Sequence, residues 1–188
     1  MKLLLASQSP RRKELLSALG YDFNVVPVDC DETYPENLNT EDIAGFLSEL
    51  KAKAFRLPQE DEVLLTADTI VALDGEVLGK PENKEEAHQM LKKLSGKTHQ
   101  VYTAISLRTK DSLTTKTDVA EVEFDSLSHQ EINFYINTFK PFDKAGAYGI
   151  QEWIGMAKIK KIKGSFYTIM GLPTHVLHHL LERYRKTD

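Results

Sequence analysis

Leu3-Leu4-Leu5-Ala6-Ser7-Gln8-Ser9-Pro10-Arg11-Arg12-Lys13 spells a strand, a tight turn and the start of a helix. The apolar run Leu3 to Ala6 has the length of a buried strand and stops far short of a signal peptide's apolar region and cleavage site. Ser9 suits an N-cap and Pro10 the first helical position, ahead of Leu15, Leu16 and Leu19; Gly20 then stops the helix. Such a junction opens an α/β protein.

The pattern continues outward from there. Tyr21 to Val28 has strand character, and Asp29 to Asn39 is acidic and loop-like. Thr40 is expected to cap a second helix, with Ile43, Phe46, Leu47 and Leu50 on one buried face and Lys51 beside it. Val63 to Leu73 reads as a strand closed by the hairpin signal Asp74-Gly75, with Glu76 to Leu78 returning. Asn83 and Glu86 suggest a capping box before a stripe of Ala87, Met90, Leu91 and Leu94, which Gly96 ends. Thr98 to Leu107 is a further strand. Ala120, Val122 and Phe124 alternate with Glu121, Glu123 and Asp125, so the next strand has one dry and one wet face. Ser128 and Glu131 form a second capping pair, followed by Ile132, Tyr135, Ile136 and Phe139 at helical spacing. Met156 to Ile162 is expected to be a strand, and the last helix carries Leu177, Leu180, Leu181 and Tyr184. The fold class is therefore α/β with antiparallel strands beside the sheet.

At 188 residues the chain is long enough to bury roughly 70% of its unfolded surface, so residues 1–188 are expected to form a single, bilobed domain. With 28 acidic and 24 basic residues the net charge is −4, which supplies no basic field for nucleic acid. An anionic ligand then needs a local basic pocket. The lone Cys30 makes no intrachain disulfide, and no apolar run of about 18 residues is present. A cytoplasmic protein without a membrane partner is expected; a homodimer is left open.

Arg11, Arg12 and Lys13 crowd the first turn of a helix, where the dipole disfavours each cation by ~0.3 to 1 kcal/mol. A bound phosphate would offset that, with Ser7 and Ser9 as further donors; carboxylate partners would do so equally. Asp68 interrupts Thr66-Ala67-Asp68-Thr69-Ile70-Val71, a segment suited to a buried strand. A carboxylate there orients a water, holds a divalent cation, or caps the next turn. Asp29, Asp31 and Glu32 suit Mg²⁺ or Mn²⁺ better than zinc, although acidic loops are usually just solvated. Lys80, in Gly79-Lys80-Pro81, either reaches a phosphate as a point charge or is an ordinary exposed lysine. The P-loop pattern is absent, and so is His-Glu-x-x-His around His175, His178 and His179, which read as surface or packing residues. Cys30 has no local His partner for a thiol nucleophile.

In order, Leu5-Ala6-Ser7-Gln8-Ser9-Pro10-Arg11-Arg12, Asp31-Glu32, Lys51-Ala52, Ala67-Asp68-Thr69-Ile70-Val71, Gly79-Lys80-Pro81, Leu94-Ser95-Gly96, Asp143-Lys144-Ala145-Gly146-Ala147-Tyr148-Gly149-Ile150-Gln151 and Gly171-Leu172-Pro173 resemble the Maf family of nucleotide pyrophosphatases. The resemblance implies an elongated, Maf/ITPase-like fold: a mixed central sheet flanked by helices, two lobes and an active-site cleft between them. It implies hydrolysis of a nucleoside triphosphate to the monophosphate and pyrophosphate with a divalent metal cation. Asp68 matches the catalytic carboxylate, and Ser7, Arg12, Lys51 and Lys80 match substrate-binding positions. Glu32, helped by Asp68, would hold the metal. Asp68-Thr69-Ile70 with Tyr148-Gly149-Ile150-Gln151 resembles the branch acting on dTTP and UTP, and Arg11, Thr69 and Gln151 match its specificity positions. Glu152-Trp153 departs from the Gly usual after that Gln, and a bulkier, charged neighbour is expected to reshape the base pocket.

Two rivals remain at this stage. A non-catalytic nucleotide sensor regulating division would use the same pocket, and an RNA-binding module would use Lys158, Lys160, Lys161 and Lys163.

Overall fold

A computed structural model describes residues 1–184. The first strand, β1 (Lys2–Leu5), leads into α1 (Pro10–Ala18), where Ser9 Oγ accepts the Arg12 N–H at 3.5 Å and Pro10 stands at the first turn. The chain continues through β2 (Phe23–Val25), α2 (Thr40–Ala54), β3 (Glu62–Leu73), β4 (Glu76–Leu78), α3 (Lys84–Leu94), β5 (Thr98–Arg108) and β6 (Leu113–Phe124). Then come α4 (His129–Phe139), a 3₁₀ turn at Ala145–Ala147, α5 (Trp153–Lys158), β7 (Ile159–Lys163), α6 (Phe166–Met170) and α7 (Thr174–Glu182). Seven strands form one mixed sheet in the order β2-β1-β3-β5-β6-β7, with β4 pairing β3. The α/β class expected from the sequence is the observed one.

The chain divides into two compact units. The first comprises residues 1–68, 103–118 and 171–188. In it β1 pairs parallel with β2 and with β3, Leu4 facing Leu64 in register. Leu4, Ala6, Ala52 and Leu64 form a core cluster on which Val26, Val28, Phe55 and Leu113 pack. Parallel strands covered on both faces read as continuous apolar runs, as β3 does: Glu62 to Asp68 are all buried. The last turn of α2 is closed by Arg108, whose Nη1 donates to the carbonyls of Ala52 (2.6 Å) and Phe55 (3.0 Å). A cation at a helix C-terminus both satisfies orphan carbonyls and complements the dipole.

The second unit comprises residues 69–102 and 119–170. Asp74 and Gly75 both take positive φ, 51° and 84°, as the two-residue turn between β3 and β4 requires. Ala87, Leu91 and Leu94 of α3 and Ile132, Tyr135 and Ile136 of α4 are buried, and the two helices pack together. The α4 capping box is present as its sequence implies: Ser128 Oγ accepts from Glu131 N–H while the Glu131 carboxylate accepts from Ser128 N–H. β6 pairs antiparallel with β7.

Several local expectations are corrected. Strand β2 covers only Phe23–Val25. Asn39, not Thr40, is the N-cap residue of α2, and the helix buries Ile43, Ala44, Leu47, Ser48 and Ala52, leaving Phe46 exposed and Leu50 half-buried. Small side chains let α2 approach the sheet closely, so its inner face follows Ala44, Ser48 and Ala52 rather than the bulkiest residues. Met156 to Lys158 are helical, and the strand starts only at Ile159. The short helix α6 was not anticipated from periodicity.

Gly146 sits at φ +67°, and a Cβ there would stand 3.0 to 3.2 Å from three atoms of Val71. Its N–H donates to Gly79 O at 3.0 Å. Gly146→Ala combines a left-handed alanine with overpacking, so it should destabilise the protein by on the order of 3 kcal/mol. A urea midpoint within error of the parent would refute this account of Gly146.

Candidate active site

In the first unit Lys51 and Asp68 meet because two periodicities match. Ser48 and Lys51 are three residues apart on one face of α2, and Thr66 and Asp68 are two apart on one face of β3. Ser48 Oγ donates to Thr66 O (3.3 Å), and Thr66 Oγ1 donates to Ser48 O (2.7 Å). Ser48 Oγ also lies 2.9 Å from Ser106 Oγ, which lies 2.8 Å from Thr115 Oγ1. One helical turn further, Lys51 Nζ reaches Asp68 Oδ1 at 2.5 Å. The same ammonium pairs with Glu32 Oε2 at 3.0 Å. Two carboxylates from separate segments thus converge on one cationic position. Asp68 is 8% exposed, so its charge is placed where the strand would otherwise be apolar, and the lysine offsets its burial.

The hydroxyl ladder was missed in the sequence. Its only signal is Ser48 between Leu47 and Lys51 on a helix whose inner face is otherwise apolar or small.

The basic first turn of α1 is organised by its neighbours. Arg12 Nε donates to Gly171 O at 2.8 Å and Nη1 to Ser7 Oγ at 3.4 Å. Ser7 Oγ also accepts the Ser9 N–H at 3.3 Å, which leaves its own O–H to donate. Gly171, at φ +107°, opens the Gly171-Leu172-Pro173 motif; its carbonyl orients the Arg12 guanidinium, a contact that the motif alone does not reveal. Burial pushes the Arg12 guanidinium below its ordinary pKa, Asp68 and Glu32 push it back up, and Arg11 lowers it further. Arg12 is therefore within the field of the two carboxylates, and Arg11 stands beside it in the same turn.

Asp31 is not part of the convergence: its Oδ1 accepts the Thr33 N–H at 3.1 Å in a local turn. Cys30 lies in the same field, and its thiol is pushed up, first by burial, then down by Lys51 and up by Glu32, Asp29 and Asp68. A raised thiol pKa disfavours the thiolate form. Among the described residues no group of three or more His, Cys, Asp or Glu side chains is gathered as a metal cage. His178 Nδ1 is 3.0 Å from Tyr21 Oη, a packing role that agrees with the expectation for these histidines.

Thr69, Lys80 and Gln151 belong to the second unit. Thr69 follows Asp68 on β3 and is half-buried; Lys80 and Gln151 are exposed. Gln151 ends a turn in which Glu152 N–H donates to Gly149 O at 3.0 Å. Glu152 points inward: its carboxylate accepts from Tyr135 Oη and pairs with Lys144 Nζ at 3.2 Å. Three of the four lysines of the basic run are paired, Lys158 with Glu131 (3.0 Å), Lys160 with Asp125 (3.2 Å) and Lys163 with Glu121 (3.1 Å), while Lys161 is exposed. No helix among the described residues is long and apolar enough to cross a membrane.

The family described as Maf-like protein matches residues 2–184. A Bacteroides thetaiotaomicron protein named dTTP/UTP pyrophosphatase is 52% identical over 97% of this chain and 95% of its own length. Namesakes from Phocaeicola vulgatus (50%, covering 97% and 95%) and Porphyromonas gingivalis (44%, covering 100% and 96%) are similar throughout. Among solved structures, the Staphylococcus aureus Ham1 protein aligns at TM-score 0.45 and 20% identity over 66% of this chain and 72% of its own.

The turn that carries Gln151 begins at Tyr148, whose Oη lies 2.8 Å from Nε2 of the fully buried His99. Both rings meet Phe124 edge-on. Burial lowers the His99 pKa to about 4. Unfolded, this imidazole protonates near its ordinary value of about 6.5, so its contribution to stability is full above that pH. It is lost progressively as the pH falls from 6.5 towards 4. Replacing His99 by Asn should flatten the stability curve in that window, measured by urea unfolding at each pH. Parallel curves for parent and variant would exclude His99 as the source.

Proposed function

Since the chain belongs to the Maf family, we propose that residues 1–188 act as one nucleotide pyrophosphatase domain, cleaving dTTP and UTP to the monophosphate and pyrophosphate. The observation that carries the assignment is the convergence of Glu32 and Asp68 on Lys51, in a chain about half identical to proteins named for that activity. A sensor that only binds an anionic nucleotide needs cations; a pair of carboxylates beside them is a liability unless it takes part in chemistry. The catalytic function is therefore favoured over regulation by binding alone.

Asp68 would orient or deprotonate the water that attacks the α-phosphorus, with pyrophosphate leaving. Charge then develops on the non-bridging oxygens, where Arg12 and Lys51 would stabilise it; Lys80 matches a further substrate-binding position of the family. The Ser7 hydroxyl would add a neutral donor. Glu32 and Asp68 fit a divalent cation, Mg²⁺ or Mn²⁺, since such ions are usually held by one or two carboxylates together with substrate phosphates. When bound, the cation supplies neutralisation of phosphate charge and lowers the cost of generating hydroxide. Arg11, Thr69 and Gln151 would set the preference for pyrimidines, Gln151 through an amide that both donates and accepts. The cytoplasm, where nucleotides are held and Cys30 stays reduced, is the proposed compartment.

A panel of dTTP, UTP, CTP, modified pyrimidine triphosphates and 7-methyl-GTP, scored for pyrophosphate with and without Mg²⁺ or Mn²⁺, tests activity, metal and base together. Metal-dependent release from dTTP and UTP is expected; no release from any nucleotide would defeat the proposal. Asp68→Asn should lower kcat by about 10² to 10⁴-fold while the protein still folds, at reduced stability because the Lys51 pair is lost. Turnover close to normal in that variant would remove Asp68 from the chemistry.

A further inference from the structure

Glu152 departs from the glycine usual in the resembling branch, and in the structure its side chain is spent on an internal network rather than on a pocket wall. Its carboxylate is 16% exposed. Tyr135 Oη donates to Glu152 Oε2, and the same hydroxyl oxygen accepts the Gly149 N–H at 2.9 Å. Lys144, whose side chain is 10% exposed, pairs with Glu152 Oε1 at 3.2 Å and with Asp143 at 2.7 Å. A Cβ at Gly149 would lie 2.9 Å from Glu152 Cδ and 3.0 Å from Gln151 Nε2. The missing side chain at Gly149 is thus what lets the Glu152 carboxylate and the Gln151 amide lie over the turn together. On the far side, a Cβ at Gly155 would fall 1.7 Å from Ile150 O, so the start of α5 is pressed directly against the turn.

We propose that Glu152 is a positioning residue for nucleotide-base selection: through Tyr135 and Lys144 it fixes the Gly149–Gln151 turn and so holds the Gln151 amide in one orientation. This rests on the pyrimidine triphosphate function proposed above. A side-chain amide discriminates between bases only if its donor and acceptor ends are held, because a freely rotating amide pairs with either pattern. Gln151 is exposed and has long torsional freedom, whereas the residue after it is anchored through two partners from elsewhere in the unit. The Tyr135 hydroxyl has the protonation this requires. Burial, and then its bond to Glu152, raise its pKa well above the ordinary tyrosine value, so it remains a donor to the carboxylate. Glu152→Gln would remove the charge that faces Lys144, leaving that lysine with only the exposed Asp143, while Tyr135→Phe would remove the donor to Glu152 and the acceptor for Gly149 N–H.

Two near-isosteric variants test this, Glu152→Gln and Tyr135→Phe. Three readouts apply: amide hydrogen exchange over the peptide spanning residues 148–153, steady-state kinetics on dTTP, UTP and CTP, and thermal unfolding. Expected is faster exchange in that peptide and a KM for dTTP and UTP raised about tenfold with little change in kcat, so that the preference over CTP shrinks. Tyr135→Phe carries the test if Glu152→Gln fails to fold. Unchanged exchange, or unchanged base preference, overturns the inference while the pyrophosphatase function stands. A uniform fall in kcat on all nucleotides that follows lost stability also overturns it, marking Glu152 as a structural residue only. Inactivity of the parent protein on every nucleotide refutes the functional proposal itself, and base selection with it.

Discussion

One ammonium joining two carboxylates, Lys51 between Asp68 and Glu32, sets conditions that much of the first unit has to meet. A carboxylate on a central, double-covered strand is costly unless a partner is delivered to it, and a partner delivered by a helix is accurate only if the helix cannot roll. The Ser48, Thr66 and Ser106 hydroxyls, all buried, oppose that motion, because each would lose a hydrogen bond away from bulk solvent, and Thr115 extends the ladder to the surface. Arg108 holds the other end of the helix through the carbonyls of Ala52 and Phe55. The position of one charge is therefore maintained by groups that have no part in any chemistry themselves.

The basic first turn of α1 follows a related logic, with one backbone carbonyl and one hydroxyl. Three cations in a first turn repel one another and the helix dipole, and α1 has no acidic residue there to help. Gly171 O takes one edge of the Arg12 guanidinium and Ser7 Oγ another. Fixing the fork in advance lowers the entropy lost when a phosphate oxygen is bound. The carboxylates of Asp68 and Glu32 offset part of the unfavourable self-energy of this turn.

What could be read locally from the sequence was signalled by residues whose partners lie within a few positions: Ser9 with Arg12, Asp74 with Gly75, Ser128 with Glu131, and the alternation of Ala120, Val122 and Phe124. What could not be read depends on distant partners. Phe46 looked like core and is exposed, since the packing distance between α2 and the sheet is set by Ala44, Ser48 and Ala52. Met156 to Lys158 run without a break into the strand that follows, but Met, Ala and Lys are helix formers and are helical here, where Gly155 packs onto Ile150 O and turns the chain. Glu152 looked like an intruder in a base pocket, and only Tyr135 and Lys144, far off in the chain, show that it is turned inward. For the site, Asp68 was conspicuous as a charge in an apolar run. Ser7, Arg12, Glu32, Lys51 and Lys80 became specific only through the ordered motifs, because a single cation or acid in a loop has no local signature.

The hydroxyl ladder also bears on how such a chain can change over evolutionary time. Ser48 and Lys51 are related by helical phase, and adding or deleting one residue between them would swing the ammonium through about 100° away from its strand. Substitutions around the ladder can be absorbed one at a time, and the acidic loop before α2 can lengthen or shorten at small entropic cost. Changes of length within those few helical residues have no such gradual path. Length variation among relatives should therefore accumulate in the loop between Thr33 and Asn39, beyond Glu32, and spare the helical span that follows it.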